Sequence, residues 1–452
     1  MPPQPRLALV TTARGTGLTP ASAACLAGLT RSGLRVQHFQ SQAALTSSKS
    51  LSSIVGSPGR HLDPWLMSPD VCRDLFLRGS RRADLAVIEG GLPCATPEPS
   101  PTDHPSPGDL RSLIEALDLP VIVVVDCPRL EGLHLPALPR RVDGLILDGI
   151  LDPSTYPEMR SIVSAITRCP VVGGLEALPE TRSELSARPD SQGLREEMID
   201  RLATSFLRFA DLGLLRSIAE SRPPLEPLDV LPRLEDTHRP FRVAYAQDEA
   251  FGGYFPDTLE TLEALGAELE EFSPLRDEKL PSQVDLVMIG CGEPEHFLKD
   301  LAANVSLINA LRVHVCVGQR IYSEGGGTAY LGQWLEANGR RVPGAGIFPF
   351  TSVLQNQPPP PQPVTRSLQR DCWLGPGGTT VRAYRSMHWK LRPVRKCESL
   401  CVRTGKLTQE GDWYFHHHAL GGLLHLHLAS LPDVVRAFAG PHSPSLLNSP
   451  RA

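Results

Sequence analysis

Several things are missing from this sequence, and each absence narrows what it does. No apolar run reaches the roughly twenty residues needed to cross a bilayer, which argues against a membrane partner. Ten cysteines are scattered without a CxxC pair, so neither a disulfide framework nor a zinc site is indicated. Cys397 and Cys401 stand close together but lack a partner pair at metal spacing, and buried thiols are the simpler reading. A net charge of −5 provides no general basic field for nucleic acid. The opening MPPQPRLALVTT does not follow the charged, apolar and small-residue order of a signal peptide, and the expected compartment is the cytoplasm. What remains, 452 residues with 41% hydrophobic and 21% charged, describes a globular protein too long for one core and suited to two domains.

The first half alternates strand and helix patterns. RLALVTT reads as a buried strand, ARGTGLTP as a glycine loop, and ASAACLAGLTRSGL as a helix with small residues on one side. That order is the setting of a phosphate-binding loop, in which amides at a helix N-terminus face the phosphates and a lysine neutralises them. Gly15, Gly17 and Thr19 are the candidate nucleotide contacts. Against GxxxxGK[ST], however, Thr12 replaces the first glycine, Leu18 the lysine, and Pro20 removes a further donor. A plain βα turn with glycines for tight packing is the alternative. The apolar runs VIVVVD, GLILDGI and PVVGGL, with helical patterns between them, predict a parallel, doubly wound sheet. Leu92 to Asp109 is too rich in proline for helix or ladder and is expected to be an extended loop. A second proline-rich stretch joins the halves. The expected division is a first domain over 1–222, a linker over 223–240, a second domain over 241–438 and a disordered tail over 439–452.

The second half is organised around IYSEGGGTAYL. Val313, Val315, Val317 and Ile321 read as a buried strand, Thr328 to Leu335 as a helix, and the glycines between as a sharp turn. Strand-to-helix elbows hold exposed nucleophiles in α/β enzymes, because a strained backbone lifts one side chain clear of the sheet. Here the tip is Gly325, which has no side chain. Ser323 does not replace it, since it falls on the strand. Upstream, VDLVMIGCGEPEHF reads as a strand and glycine turn, and downstream LQNQPPPPQPVTRSLQRD is low-complexity sequence expected to be disordered. In LLHLHLA, alternation puts His425 and His427 on one face of a strand and leaves His416 to His418 in a loop, which disfavours a metal site built from all five.

These motifs resemble the cobyrinate a,c-diamide synthases, a family of class I glutamine amidotransferases. YSEGGG is similar to Tyr-x-Glu-Cys-Gly-Gly, GLRVQHFQ to Gly-Leu-Arg-Val-Gln-Pro-Phe-Lys, and ADLAVIEGG to Ala-Asp-x-x-Val-Ile-Glu-Gly. HLDPWLM is similar to Asn-Leu-Asp-x-Trp-Met, GCGEPE to Gly-Gly-Gly-Tyr-Pro-Glu, and LLHLHLA to Tyr-Leu-His-Leu-His-Phe. The longest match is FRVAYAQDEAFGGYFPDTLETLEAL, at the start of the second half. The resemblance implies a P-loop NTPase-like domain followed by a flavodoxin-like glutamine amidotransferase domain, each with a mainly parallel sheet. It also implies a nucleophile position at Gly325, a general base at His425, an oxyanion turn at Gly290, Cys291 and Gly292, and a magnesium-side carboxylate at Glu89. ATP and magnesium are the family's cofactors, and both are expected to be weakened or lost here. The lysine is Leu18, Gln40 ends the second motif, and SQAALTSSKS has no acidic magnesium ligand. Two readings stand. One is a non-catalytic paralogue that binds a corrinoid, another tetrapyrrole, a nucleotide fragment or an active synthase. The other is a divergent tetrapyrrole amidoligase that uses free ammonia.

Overall fold

A computed structural model describes residues 4–11, 19–43, 49–92, 105–127, 138–187, 193–231, 241–394, 398–402 and 411–439. Gly15, Gly17 and Leu18, residues 93–104 of the first proline-rich loop, 232–240 of the linker and 440–452 of the tail lie outside the described residues. The chain divides into two compact units, Met1–Val230 and Leu231–Ala452.

The first unit is built on seven strands, β1 (Arg6–Thr11), β2 (Val36–Gln40), β3 (Arg60–His61), β4 (Leu85–Gly91), β5 (Val121–Asp126), β6 (Gly144–Ile150) and β7 (Val171–Glu176). They lie in the order β3-β2-β4-β1-β5-β6-β7, and every pairing is parallel. Such a sheet is covered on both faces, which is why its strands read as continuous apolar runs rather than alternating ones. Its helices are α1 (Pro20–Arg31), α2 (Lys49–Val55), α3 (Pro69–Ser80), α4 (Leu110–Ala116), α5 (Tyr156–Thr167), α6 (Pro179–Ala187), α7 (Glu196–Leu207) and α8 (Leu212–Ala219). The small face of α1 packs closely on α7: a Cβ on Gly28 would sit 2.5 Å from Phe206 Cδ1. Beyond α8 the chain is tied down by Asp74, whose carboxylate accepts the Leu228 and Val230 amides at 2.8 and 2.7 Å.

The second unit opens with β8 (Phe241–Ala246), β9 (Phe251–Gly253), α9 (Pro256–Ala264), β10 (Ala267–Phe272), β11 (Leu286–Ile289) and β12 (Cys291–Gly292). There follow α10 (Leu298–Ala303), α11 (Val305–Cys316), β13 (Arg320–Glu324), α12 (Gly326–Leu331), β14 (Gly332–Ala337), β15 (Arg340–Pro343) and β16 (Phe348–Leu354). The remainder is β17 (Gln362–Ser367), β18 (Thr380–Arg385), β19 (Trp389–Pro393), β20 (Glu398–Val402), β21 (Gly411–His416), β22 (Ala419–Gly422), β23 (Leu424–His425) and α13 (Pro432–Ala439). The main sheet runs β10-β8-β11-β13-β22-β21-β20, parallel as far as β22 and antiparallel over the last two strands. The fold is therefore α/β in both units, with a mainly parallel sheet in each.

Four local expectations are corrected. Val313, Val315 and Val317 do not form a strand: the first two belong to α11, and Val313 and Val317 are 59% and 68% exposed. The buried stripe is Leu307, Ile308, Leu311 and Val315, a helical spacing that the alternating valines mask. The helix expected over Thr328 to Leu335 ends at Leu331, where Gly332 takes up extended backbone and begins β14. The proline-rich stretch after β16 is not structureless throughout, since Gln362–Ser367 pairs antiparallel with β18 over its whole length. His425 and His427 do not share a strand, because β23 stops at His425.

Candidate functional site

At the end of β13 the chain makes the sharp turn that its glycines require. Gly325 has φ 51° and ψ −116°, a conformation that strains any residue with a Cβ, and α12 starts at the next residue. The Gly325 amide donates to Gly422 O at 2.9 Å, while the neighbouring Ser323 hydroxyl is shared with Thr328 Oγ1 at 2.9 Å. Ser323 is fully buried, its hydroxyl held by Thr328 of α12 rather than presented at the tip.

The structure brings His425 to the tip. A Cβ built on Gly325 would lie 3.1 Å from His425 Nε2 and 3.3 Å from Cys291 Sγ. His425 is buried, and neither of its ring nitrogens has a hydrogen-bond partner among the described residues. Burial lowers its pKa to about 4, so the imidazole is neutral at physiological pH. Glu324 lies below the tip, also buried, and accepts the Tyr322 hydroxyl and, at 3.0 Å, the Leu426 amide. Burial raises this carboxyl to about 7, against the opposing pull of those two donors.

The expected oxyanion turn is occupied by the protein's own contacts. The Gly290 amide donates to Tyr254 Oη at 2.9 Å, and the Tyr254 hydroxyl donates in turn to Met288 O at 3.1 Å. Cys291 and Gly292 form β12 and pair antiparallel with β9. Gly292 has room only for hydrogen, since a Cβ there would meet Ala250 O at 2.0 Å. The cavity behind the elbow, lined by Tyr254, Thr258, Met288, Tyr322, Glu324 and Leu426, holds about 10 Å³, no more than a single water. The elbow thus brings His425 and Cys291 to a tip that carries no side chain of its own.

In the first unit the two described candidates, Thr19 and Glu89, have partners within the protein. The Thr19 side chain forms a capping box at the start of α1: its Oγ1 accepts the Ser22 amide at 3.2 Å, and Ser22 Oγ accepts the Thr19 amide at 3.0 Å. Glu89, at the end of β4, is held by His38 Nε2 at 3.0 Å, with both side chains buried. The nearby His61 is pushed down to about 3 by burial and by His38. Asp63 accepts the Ala43, Trp65 and Gly108 amides and so serves as a backbone clasp. Among the described residues no group of three His, Cys, Asp or Glu side chains is placed to hold a metal, and no helix is long and apolar enough to cross a membrane. Among the described residues, the magnesium-side carboxylate expected at Glu89 is paired with the His38 imidazole. His38 was not foreseen as Glu89's partner. Its signal was a histidine where the similar motif has proline.

The CobB/CobQ-like glutamine amidotransferase domain family matches residues 242–430. The cobyrinate a,c-diamide synthase of Magnetococcus marinus is 31% identical over 375 residues, covering 78% of each chain. The chain belongs to the cobyrinate a,c-diamide synthase family. The synthase of Syntrophotalea carbinolica is 28% identical over 96% of this chain and 98% of its own. Among solved structures, PurLQS from Thermotoga maritima is similar at TM-score 0.35 and 12% identity, over 44% of this chain and 97% of that one. Set against the family's motifs, the cobyrinate a,c-diamide synthase elbow here has Gly325 for cysteine, and its glycine turn has Cys291 for glycine.

Proposed function

We propose that this member of the cobyrinate a,c-diamide synthase family does not hydrolyse glutamine and acts as a binding or scaffold paralogue in corrinoid biosynthesis. Its partner would be a corrinoid, another tetrapyrrole or a motif-complete synthase. The observation that carries the reading is the bare Gly325 tip beside His425, because a thioester cannot form there without a thiolate and the elbow itself offers the imidazole no thiol to deprotonate. The first unit supports it independently. Leu18 stands for the lysine, Thr19 is engaged as a helix cap, and Glu89 is paired with His38. Charge neutralisation at the transferring phosphoryl group is most of what such a site contributes, so losing the lysine and an anionic metal ligand is expected to cost on the order of 10³-fold or more in rate.

Calorimetric titration of the full chain with ATP and magnesium tests this. The expected dissociation constant is about millimolar or weaker, equivalent to about 4 kcal/mol. Micromolar binding that collapses in Thr19→Ala would overturn the reading and point to an amidoligase fed by free ammonia.

A further inference from the structure

We infer that Cys291 has taken over the space of the missing nucleophile, so that positions 325 and 291 form a coupled pair and the glutaminase site cannot be rebuilt at either one alone. The inference rests on reading Gly325 as an emptied nucleophile position. It adds that the emptied space has been refilled from the other side of the pocket.

The geometry is specific. Cys291 is the one residue with a side chain between Gly290 and Gly292, in a turn whose neighbours leave little freedom: Gly253 packs against Cys291 Cβ, and Gly292 is pressed on Ala250. Its thiol is directed at the elbow. Sγ lies 4.0 Å from Glu324 Oε2 and 3.3 Å from where a Gly325 Cβ would be. The same point is 3.1 Å from His425 Nε2, and neither ring nitrogen of His425 has a partner among the described residues. Carbon atoms in good contact sit about 3.5–4.0 Å apart, so any side chain at 325 meets thiol and imidazole together, both too close. The elbow leaves little slack to relieve this, since every residue from Arg320 to Gly332 is buried.

The surroundings distinguish a filler from a relocated nucleophile. A reactive cysteine needs a nearby cation or helix N-terminus to hold the thiolate. Cys291 is only partly buried and its sulfur lies beside the start of the short helix α12, but the side chains it faces are the Glu324 carboxyl and a neutral imidazole, and desolvation beside Glu324 pushes the thiol pKa up. The sulfur is positioned as packing, and the reciprocal exchange of glycine and cysteine between the two motifs preserves one sulfur in the pocket while removing its chemistry.

The labelling test uses the full chain as wild type and two variants, with a glutamine-shaped chloromethyl ketone. With this reagent a thiolate displaces chloride, a thioether bond forms, and the thiol proton passes to His425. Wild type is expected to show no labelling at Cys291 by peptide mass spectrometry. Cys291→Gly combined with Gly325→Cys is expected to label at position 325 on the order of tenfold faster than Gly325→Cys alone. Rapid labelling of wild-type Cys291 would overturn the inference in favour of a relocated nucleophile, and equal rates for the single and double variants would overturn it too. Should Gly325→Cys fail to fold, the melting temperature decides: Gly325→Ala must lower it more beside Cys291 than in the Cys291→Gly background, and equal drops refute the coupling. Ammonia release from glutamine by wild type would instead defeat the proposed function, so the two failures are distinguishable.

Discussion

Replacing Glu324 by glutamine removes a buried charge without removing its contacts, because one amide oxygen can still accept both the Tyr322 hydroxyl and the Leu426 amide. The folded-state pKa of Glu324 is raised from 4.5 to about 7, chiefly by burial. A raised carboxyl gives stability that is fully present below pH 4.5 and is lost as pH rises through about 7. At about 1.4 kcal/mol per unit, the wild-type protein should lose about 3 kcal/mol across that window, and Glu324→Gln should not. His425 works in the opposite direction, its contribution being lost as pH falls from 6.5 through about 4. It is present in both proteins and cancels in the difference. Four of the five tryptophans, Trp334, Trp373, Trp389 and Trp413, lie in the second unit, so urea unfolding followed by tryptophan emission reports mainly on it. The stability of Glu324→Gln relative to wild type should rise steadily from about pH 4.5 to about pH 7 and then level off. A difference that stays flat over this range would refute the assignment of a buried, proton-linked carboxyl beneath the elbow.

Tyr254→Phe should destabilise the second unit by about 1–3 kcal/mol in the same assay, because it leaves the buried Gly290 amide without its acceptor. A neutral result would mean that this amide is free to serve as an oxyanion donor. Asp412→Asn should cost about 3–5 kcal/mol, since the buried carboxylate holds Arg366 and Arg385 at 2.5 Å each and both would lose their counter-charge. A loss below about 1 kcal/mol would place that cluster in solvent rather than in the core.

Much of the architecture was legible because buried parallel strands leave unbroken β-branched runs: Val121–Asp126 is a central strand on that basis alone. Helix α11 was misread for a related reason. Val313, Val315 and Val317 alternate like a strand, and only the exposure of the outer two shows that the stripe formed by Leu307, Leu311 and Val315 sets the period. At the elbow, local sequence was enough to mark the turn and its missing side chain. It was not enough to show what lies beside that tip, because Cys291 and Gly325 are brought together by the pairing of β11 with β13 and the Gly327 to Gly290 backbone bond. The His38–Glu89 pair was hidden likewise, being formed between neighbouring strands 51 residues apart in sequence. Contacts of this kind are set by strand order, which residue patterns alone do not specify.

The central claim is that the elbow no longer carries glutaminase chemistry, and the most direct measurement is ammonia release from glutamine by the full wild-type chain, with and without ATP. The account predicts a rate indistinguishable from a Gly325→Ala control. Turnover at about 1 s⁻¹ or faster, the ordinary range for an enzyme, would contradict it.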